Sequence, residues 1–318
     1  MIFMYNNTMN EEYFNIAGFT KYPTNIYNSE PENGYAQGVN ECKIPEALVY
    51  YGLDSDTQFM KLFNPVWYSV LKSCKLQAVV YSISNYLFDN SLSPLWNKFE
   101  RNVVDMLPAV IILCGWQRHI ENMKKKKFDI TQIEFNRQEI RNTLTKGMRV
   151  YGKSGMLISG MIWASILLNA NLVQLGCLQY EIKKANNQYV CDEISIGDMI
   201  VAIHIPAGAL FTPDAVEKSI TMAKEYFGDK VSFICNSWLL GEQLGTCLKS
   251  DSNIFNFRRY FSIIKTEDSE SVYNFLFNNA DDNPNISDLA EGTSLQKSVK
   301  KAMLSGIHFY DAIGILKC

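Results

Sequence analysis

The scarce chemical groups of this 318-residue chain are three histidines, His119, His204 and His308, and eight cysteines. The cysteines are Cys42, Cys74, Cys114, Cys177, Cys191, Cys235, Cys247 and Cys318, and no two lie closer than the 12 positions from Cys235 to Cys247. There is therefore no C-x-x-C pair and no zinc-ribbon spacing, and three histidines are too few for a histidine cluster, so no metal is expected. With no disulfide framework in view, the thiols read as reduced and the protein as cytoplasmic.

His204 closes the apolar run Met199-Ile-Val-Ala-Ile-His-Ile205. An imidazole titrates near neutral pH, so a histidine there is either a hydrogen-bonded core residue or a general base. Glu181, in Gln179-Tyr-Glu181, is the rival base, or else a structural carboxylate on a strand. Cys235 lies beside Asn236 and Ser237, but no G-x-S-x-G elbow accompanies it, so covalent catalysis is not expected. Asn236 and Trp238 follow a second apolar run, Val231 to Cys235. Ligands of open α/β sheets bind at such strand ends, although packing explains Trp238 equally well.

Between the two runs lies the turn Pro206-Ala-Gly-Ala209, followed by Thr212-Pro213. A strand that enters a small-residue turn and then a helix presents backbone amides and the positive end of the helix dipole to an anion. Ala207, Gly208 and Ala209 let a ligand approach the backbone. The turn is neither a P-loop nor a Rossmann fingerprint. Thr212 and Asp214 can also satisfy the helix end themselves, so an anion-free turn is an open alternative. The run Lys124 to Lys127 is a second possible anion patch, but it reads more simply as a solvated loop.

The elements that carry these residues follow from periodicity. Helical patterns dominate from Pro45 to Met148, including Leu76 to Phe88, Val103 to Ile120 with Pro108 inside it, and Ile130 to Met148. A core helix is expected over residues 156–174. Cys177 to Lys183 then alternates like a strand, with Glu181 and Lys183 on one side, and Gln188 to Ile196 gives a second strand-like stretch. Met199–Ile205 reads as a strand buried on both faces, and Val231–Cys235 as another. The helix between them runs from Pro213 to Phe227, with Val216, Ile220, Ala223 and Phe227 on one face. Strand, helix and strand so close together form a βαβ unit with parallel strands. A strand over Arg258–Thr266, helices over Ser271–Phe277 and Leu295–Leu304, and a strand over Ile307–Leu316 complete the pattern.

The expected division is a mainly helical domain over residues 1–150 and a mixed α/β domain over residues 151–318, at ~100–200 residues per domain. Residues 1–40 lack a sustained period and are expected to wrap the surface. Composition is that of a globular protein: 47% hydrophobic and 20% charged, with a net charge of −3 that leaves no footprint for a general nucleic-acid binder. Ser154 to Tyr180 carries no charge, but its strongly apolar part is too short to span a bilayer, so no membrane partner is expected. The first residues, Met1-Ile-Phe-Met-Tyr, have no basic n-region and no signal peptide is expected.

Four pieces together resemble bacterial acyltransferase-domain proteins that pair a helical N-terminal domain with a GNAT-like C-terminal domain. They are His204-Ile205-Pro206 with its small-residue loop, Ser237-Trp238-Leu239-Leu240, Ser252-Asn253-Ile254, and the phenylalanine-rich Phe255 to Phe261. Val173 to Glu181 is similar to that family's entry into its sheet. The resemblance implies an α+β fold whose mixed sheet is flanked by helices and whose two parallel strands splay apart. It implies acetyl-CoA or another acyl-CoA as co-substrate, entering between the strands. The pyrophosphate would lie against Ile205, Pro206, Ala207, Gly208, Ala209 and Thr212, with Asn236 and Trp238 opposite. A small-molecule acceptor, usually an amine, would attack the thioester directly. His204 or Glu181 would be the base, and Tyr260 or another tyrosine the acid for the leaving thiolate. The Q/R-x-x-G-x-G/A signature of typical GNAT enzymes is absent from the turn. A GNAT-like module that binds without catalysing is the alternative expectation, and a structural part of a larger assembly a third.

Overall fold

The computed structural model describes residues 42–86, 103–150, 152, 154–157, 159–228, 230–268, 271–279 and 284–317. The expectation for residues 1–40 falls outside them. The chain divides into two compact units between Ala170 and Asn171.

The first unit is built from α1 (Ile44–Tyr50), α2 (Thr57–Leu71), α3 (Cys74–Tyr86), α4 (Leu107–Cys114), α5 (Trp116–Lys125), α6 (Ile130–Arg149) and α7 (Ser159–Leu168). A small antiparallel pair joins them, β1 (Val103–Val104) with β2 (Met156–Leu157). Aspartates start two of the helices: Asp56 accepts from the Phe59 amide and Asp129 from the Gln132 amide. The helix expected over Val103–Ile120 is divided. Pro108 lacks an amide and sits in the first turn of α4, which leaves Val103 and Val104 in the strand pair. Every residue of α4 is apolar and every one is buried, so it has no solvent face. It packs against α1, α2, α3 and α7. The helix expected over residues 156–174 is likewise shorter. Ala170, at φ 53, takes a left-handed turn after α7, and a strand follows.

Within this unit His119 is fully buried, and its Nδ1 is hydrogen-bonded to the Tyr51 hydroxyl at 2.9 Å. Burial holds this imidazole neutral, with its pKa lowered to about 3, while the Asn136 side chain pulls weakly the other way.

The second unit contains β3 (Leu172–Leu175), β4 (Leu178–Lys184), β5 (Met199–His204), α8 (Pro213–Phe227), β6 (Ser232–Ser237), α9 (Asn253–Arg258), β7 (Phe261–Asp268), α10 (Ser271–Phe277), α11 (Ser294–Leu304) and β8 (Tyr310–Leu316). The strands form one six-stranded mixed sheet in the order β3-β4-β5-β6-β8-β7. β5 and β6 are parallel and the other neighbours antiparallel. This is the α+β architecture expected. The two-residue turn Gly176-Cys177 joins β3 to β4, and Gly176 takes φ 65, where a side chain would meet Ser219.

Both sheet faces are covered. On one, α8 lies over β3 and β4, held by Ser219. This buried hydroxyl is 2.9 Å from the Tyr180 hydroxyl, accepts from the Leu178 amide and donates to the Leu175 carbonyl. On the other face the segment 185–198 forms a strap. Its ends close on each other through Ala185 N–H to Asp198 O and Gly197 N–H to Ala185 O, both 2.8 Å. Tyr189 and Ile194 of the strap pack on Ile200, Ala202, Ile234, Ile313 and Ile315. The strand-like stretch expected over Gln188–Ile196 is thus a short 3-10 turn, Asn187–Tyr189, and an isolated bridge between Cys191 and Ile194. Its apolar residues anchor the strap instead of alternating along a ladder.

A neutral buried histidine makes the first unit acid-sensitive. The unfolded chain binds this proton near pH 6.5 and the native state only near pH 3, so stability falls as pH drops between those values, by up to about 1.4 kcal/mol per pH unit. Urea unfolding from pH 6.5 to pH 5 should show this slope in the natural protein, and His119→Gln should flatten it.

Candidate active site

The site forms where the one parallel pair stops being paired. The β5–β6 ladder runs Ile200 with Ser232, Val201 with Phe233 and Ala202 with Ile234, and ends there. Both strands continue. Ile203 and His204 stay paired to Tyr180 and Gln179 of β4, whereas Cys235, Asn236 and Ser237 stay paired to Gly314, Ile313 and Ala312 of β8. Beyond Ala202 and Ile234 each strand keeps its outer neighbour and leaves its inner one.

Register decides which side chains share a face. Residues opposite one another in a ladder point the same way, so Gln179, Glu181, Lys183, Ala202 and His204 share one face with Ile234 and Asn236. Cys235 points to the other face. It is buried, and burial together with the Asp311 charge pushes its thiol up to about 12, so it is not a thiolate at neutral pH.

His204 and Glu181, read from sequence as competing bases, are partners. His204 Nε2 lies 2.9 Å from Glu181 Oε2, a diagonal contact across β4 and β5. Glu181 is 7% exposed and His204 half-buried. Lys183 Nζ approaches the same Oε2 at 3.4 Å and donates to the Tyr189 hydroxyl at 3.1 Å. It also stands 4.9 Å from the centre of the Tyr189 ring. Burial pushes the Glu181 carboxyl up, but the His204 hydrogen bond and the Lys183 and His204 charges outweigh it and hold the group below its ordinary value. Burial likewise opposes the Lys183 charge, and the Glu181 carboxylate with Tyr189 overcomes it and raises the ammonium. Lys183 and Tyr189 were not singled out from sequence. The available signal was that Lys183 falls on the same side of its strand as Glu181.

The remaining expected residues occupy distinct places. Ile205 and Pro206 leave β5 half-buried, and Ala207 and Gly208 are exposed in the turn. Gly208 takes φ 77, and a Cβ there would meet no atom within 4 Å. The Ala209 amide donates back to the Pro206 carbonyl at 3.2 Å, which closes the turn. Thr212 caps α8 by accepting from the Ala215 amide at 3.4 Å. Asn236 is exposed at the end of β6, on the His204 face. Trp238 is buried among Leu244, Val272, Val299 and Phe309. Tyr260 follows α9, and its phenol is raised by partial burial and by the charges of Glu217 and Asp214 on the first turns of α8. Tyr260 therefore belongs to the α8 side of the sheet, opposite the His204–Glu181 pair.

No group of three or more His, Cys, Asp or Glu side chains suited to a metal occurs among the described residues. No helix among them is long and apolar enough to cross a membrane.

Glu181 ties the site to stability. Because its folded pKa is depressed, its contribution is present above the ordinary value of 4.5 and is lost as pH falls through the folded value. Glu181→Gln leaves Lys183 without its counter-charge and should destabilise the protein by about 2 kcal/mol at pH 7, with His204 and Lys183 partly screened by solvent. Urea unfolding at pH 7 and pH 3.5 should show that penalty shrinking at the lower pH.

Comparison with known proteins bears on this arrangement. Residues 172–316 match the family model described as GNAT-like C-terminal domain. Among solved structures, an acyltransferase in complex with decanoyl-CoA is 18% identical, with a TM-score of 0.59 over 81% of this chain and 79% of that one. An acyltransferase in complex with CoA and 10C-teicoplanin is 17% identical, with a TM-score of 0.60 over 81% and 80%. An acyltransferase mutant in complex with octanoyl-CoA is 16% identical, with a TM-score of 0.62 over 96% and 98%. At these identities the likeness is one of fold. No curated protein matches the chain by sequence.

Proposed function

Residues 172–316 being a GNAT-like C-terminal domain, we propose that this protein is an acyl-CoA-dependent N-acyltransferase of the cytoplasm that acylates a small-molecule acceptor by direct transfer. The observation that carries the reading is the end of the β5–β6 ladder at Ala202 and Ile234, with both strands continuing. Two parallel edges that part offer backbone donors and acceptors to a pantetheine chain, which carries two amides of its own. The structural neighbours in complex with acyl-CoA, CoA or 10C-teicoplanin support the same class of substrates.

In this reading the turn holds the phosphate end. Ile205, Pro206, Ala207, Gly208 and Ala209 form its wall, and Thr212 stands where α8 begins. The open space around Gly208 suits a close backbone approach. Asn236, at the end of β6 on the His204 face, would face the acyl-CoA across from the turn, and Trp238 backs the end of β6 from the core.

The chemistry divides among residues of this chain. His204, oriented by the ionised Glu181, takes the proton of the acceptor amine as its nitrogen attacks the thioester carbonyl carbon. A C–N bond forms, and the developing oxyanion is met by a backbone amide at the parted edge. The C–S bond then breaks. The proton that His204 has taken passes to the leaving thiolate, because Tyr260, the acid expected from sequence, lies on the α8 side of the sheet. Neither a metal nor a nucleic-acid or membrane partner enters this scheme.

Binding is testable before the acceptor is known. At 100-fold over its Kd, an acyl-CoA should add about 2.7 kcal/mol of stability, readable as a thermal shift with acetyl-, octanoyl- and decanoyl-CoA. No shift with any of them would overturn the reading in favour of a module that does not bind CoA. Gly208→Val, whose branched side chain fills the open space at φ 77, should abolish the shift. An intact shift would remove the turn as the pyrophosphate site.

A further inference from the structure

The proposed base pair has a third member whose position is unusual. A lysine two residues along a strand from a carboxylate ordinarily reaches solvent. Lys183 instead turns its ammonium under the strap. There it meets the Tyr189 hydroxyl at 3.1 Å and the Tyr189 ring at 4.9 Å, and it reaches Glu181 Oε2 at 3.4 Å. That oxygen is the one His204 contacts at 2.9 Å. Tyr189 is itself fixed, buried among Ile194, Ile200 and Ala202. A chain of contacts thus runs from the strap to the imidazole: Tyr189, Lys183, Glu181, His204.

We infer that Lys183 is a positioning residue: anchored by Tyr189, it shares the Glu181 Oε2 atom with His204 and so sets how much of the carboxylate's charge the imidazole receives. The inference rests on the reading of His204 and Glu181 as the basic pair. Its physical content is simple. A carboxylate facing a single imidazolium stabilises that cation fully and makes the histidine a stronger, slower-to-release base. A second cation on the same oxygen divides the charge, so less of it is left for the imidazole. The strap carries this setting because it supplies the hydroxyl and the ring that hold the ammonium in place.

Other charged and titratable groups on this sheet face are accounted for. Gln179 and Asn236, the polar neighbours from β4 and β6, do not titrate. Lys265 and Glu267 of β7 lie three strands away, 2.7 Å from each other, and Glu267 also accepts from Gln188 of the strap at 2.6 Å. Asp311 of β8 lies opposite Glu267. Asp214 and Glu217 belong to α8 on the opposite face. On the strap, Tyr189 belongs to the contact chain, Cys191 packs against the isoleucine cluster, Asp192 and Glu193 are exposed, and Asp198 accepts from the Ser195 amide.

Three histidines make the test direct. Histidine-selective carbon-13 labelling of the full chain gives three ring signals, and His204→Ala assigns the one of interest. The pH midpoint of the His204 signal should rise by about one unit in Lys183→Met. It should stay near the natural value in Lys183→Arg, and rise by less in Tyr189→Phe, which keeps the ring and removes the hydroxyl. Glu181→Gln should lower it. Near-ultraviolet circular dichroism reports whether each variant is folded, and Tyr189→Phe carries the test should Lys183→Met unfold. A lysine with a merely structural role would alter stability and leave the midpoint in place. An unmoved or lowered midpoint in Lys183→Met, with Glu181→Gln still lowering it, would overturn the role of Lys183 and leave the pair intact. A midpoint that Glu181→Gln also fails to move would overturn the pair itself.

Discussion

The site depends on a ladder that ends early. Parallel strands are bonded evenly along their length, and nothing in β5 or β6 alone makes them part after Ala202 and Ile234. Their outer neighbours hold them apart. β4 keeps Ile203 and His204, β8 keeps Cys235 to Ser237, and each inner edge is left to face whatever enters between them. The two strands can diverge within a folded sheet because the backbone satisfaction lost on the inside is secured on the outside. The parted geometry is therefore a property of four strands.

The same constraint explains how the polar residues are placed. His204 reaches Glu181 because β4 and β5 pair in a register that sets Gln179 opposite His204. A slip of one residue would send Glu181 to the α8 face, where Ser219 and Tyr180 already form a buried hydroxyl pair. The strap then seals the lower part of that face with Tyr189 and Ile194 and leaves the upper part, from His204 to Asn236, accessible. The sheet face thus grades from a dry isoleucine cluster to a half-buried ion network and then to solvent.

Much of this was legible in the order of residues. The run Met199–Ile205, the capped helix from Pro213 and the run Val231–Cys235 are local patterns, and each became the expected element. The small-residue turn and its position were likewise visible. Pairings were not. His204 and Glu181 looked like competitors because their contact is made by a register, which a strand pattern does not state. The stretch Gln188–Ile196 imitated a strand because Tyr189 and Ile194 are apolar anchors spaced among polar residues, and packing on a neighbouring face uses the same residue types as a ladder does. Pro108 was expected to kink or start its helix, and it starts α4, since a proline in the first turn loses no hydrogen bond. The end of the β5–β6 ladder has no signature of its own.

The strand order carries a consequence for assembly. β6 ends at Ser237, but the neighbour that draws it away from β5 is β8, supplied by residues roughly seventy positions later and inserted between β6 and β7. The βαβ unit contains both lips of the cleft but not the force that opens them. The parting of β5 from β6 is accordingly set by contacts made far apart in the sequence rather than by local propensity.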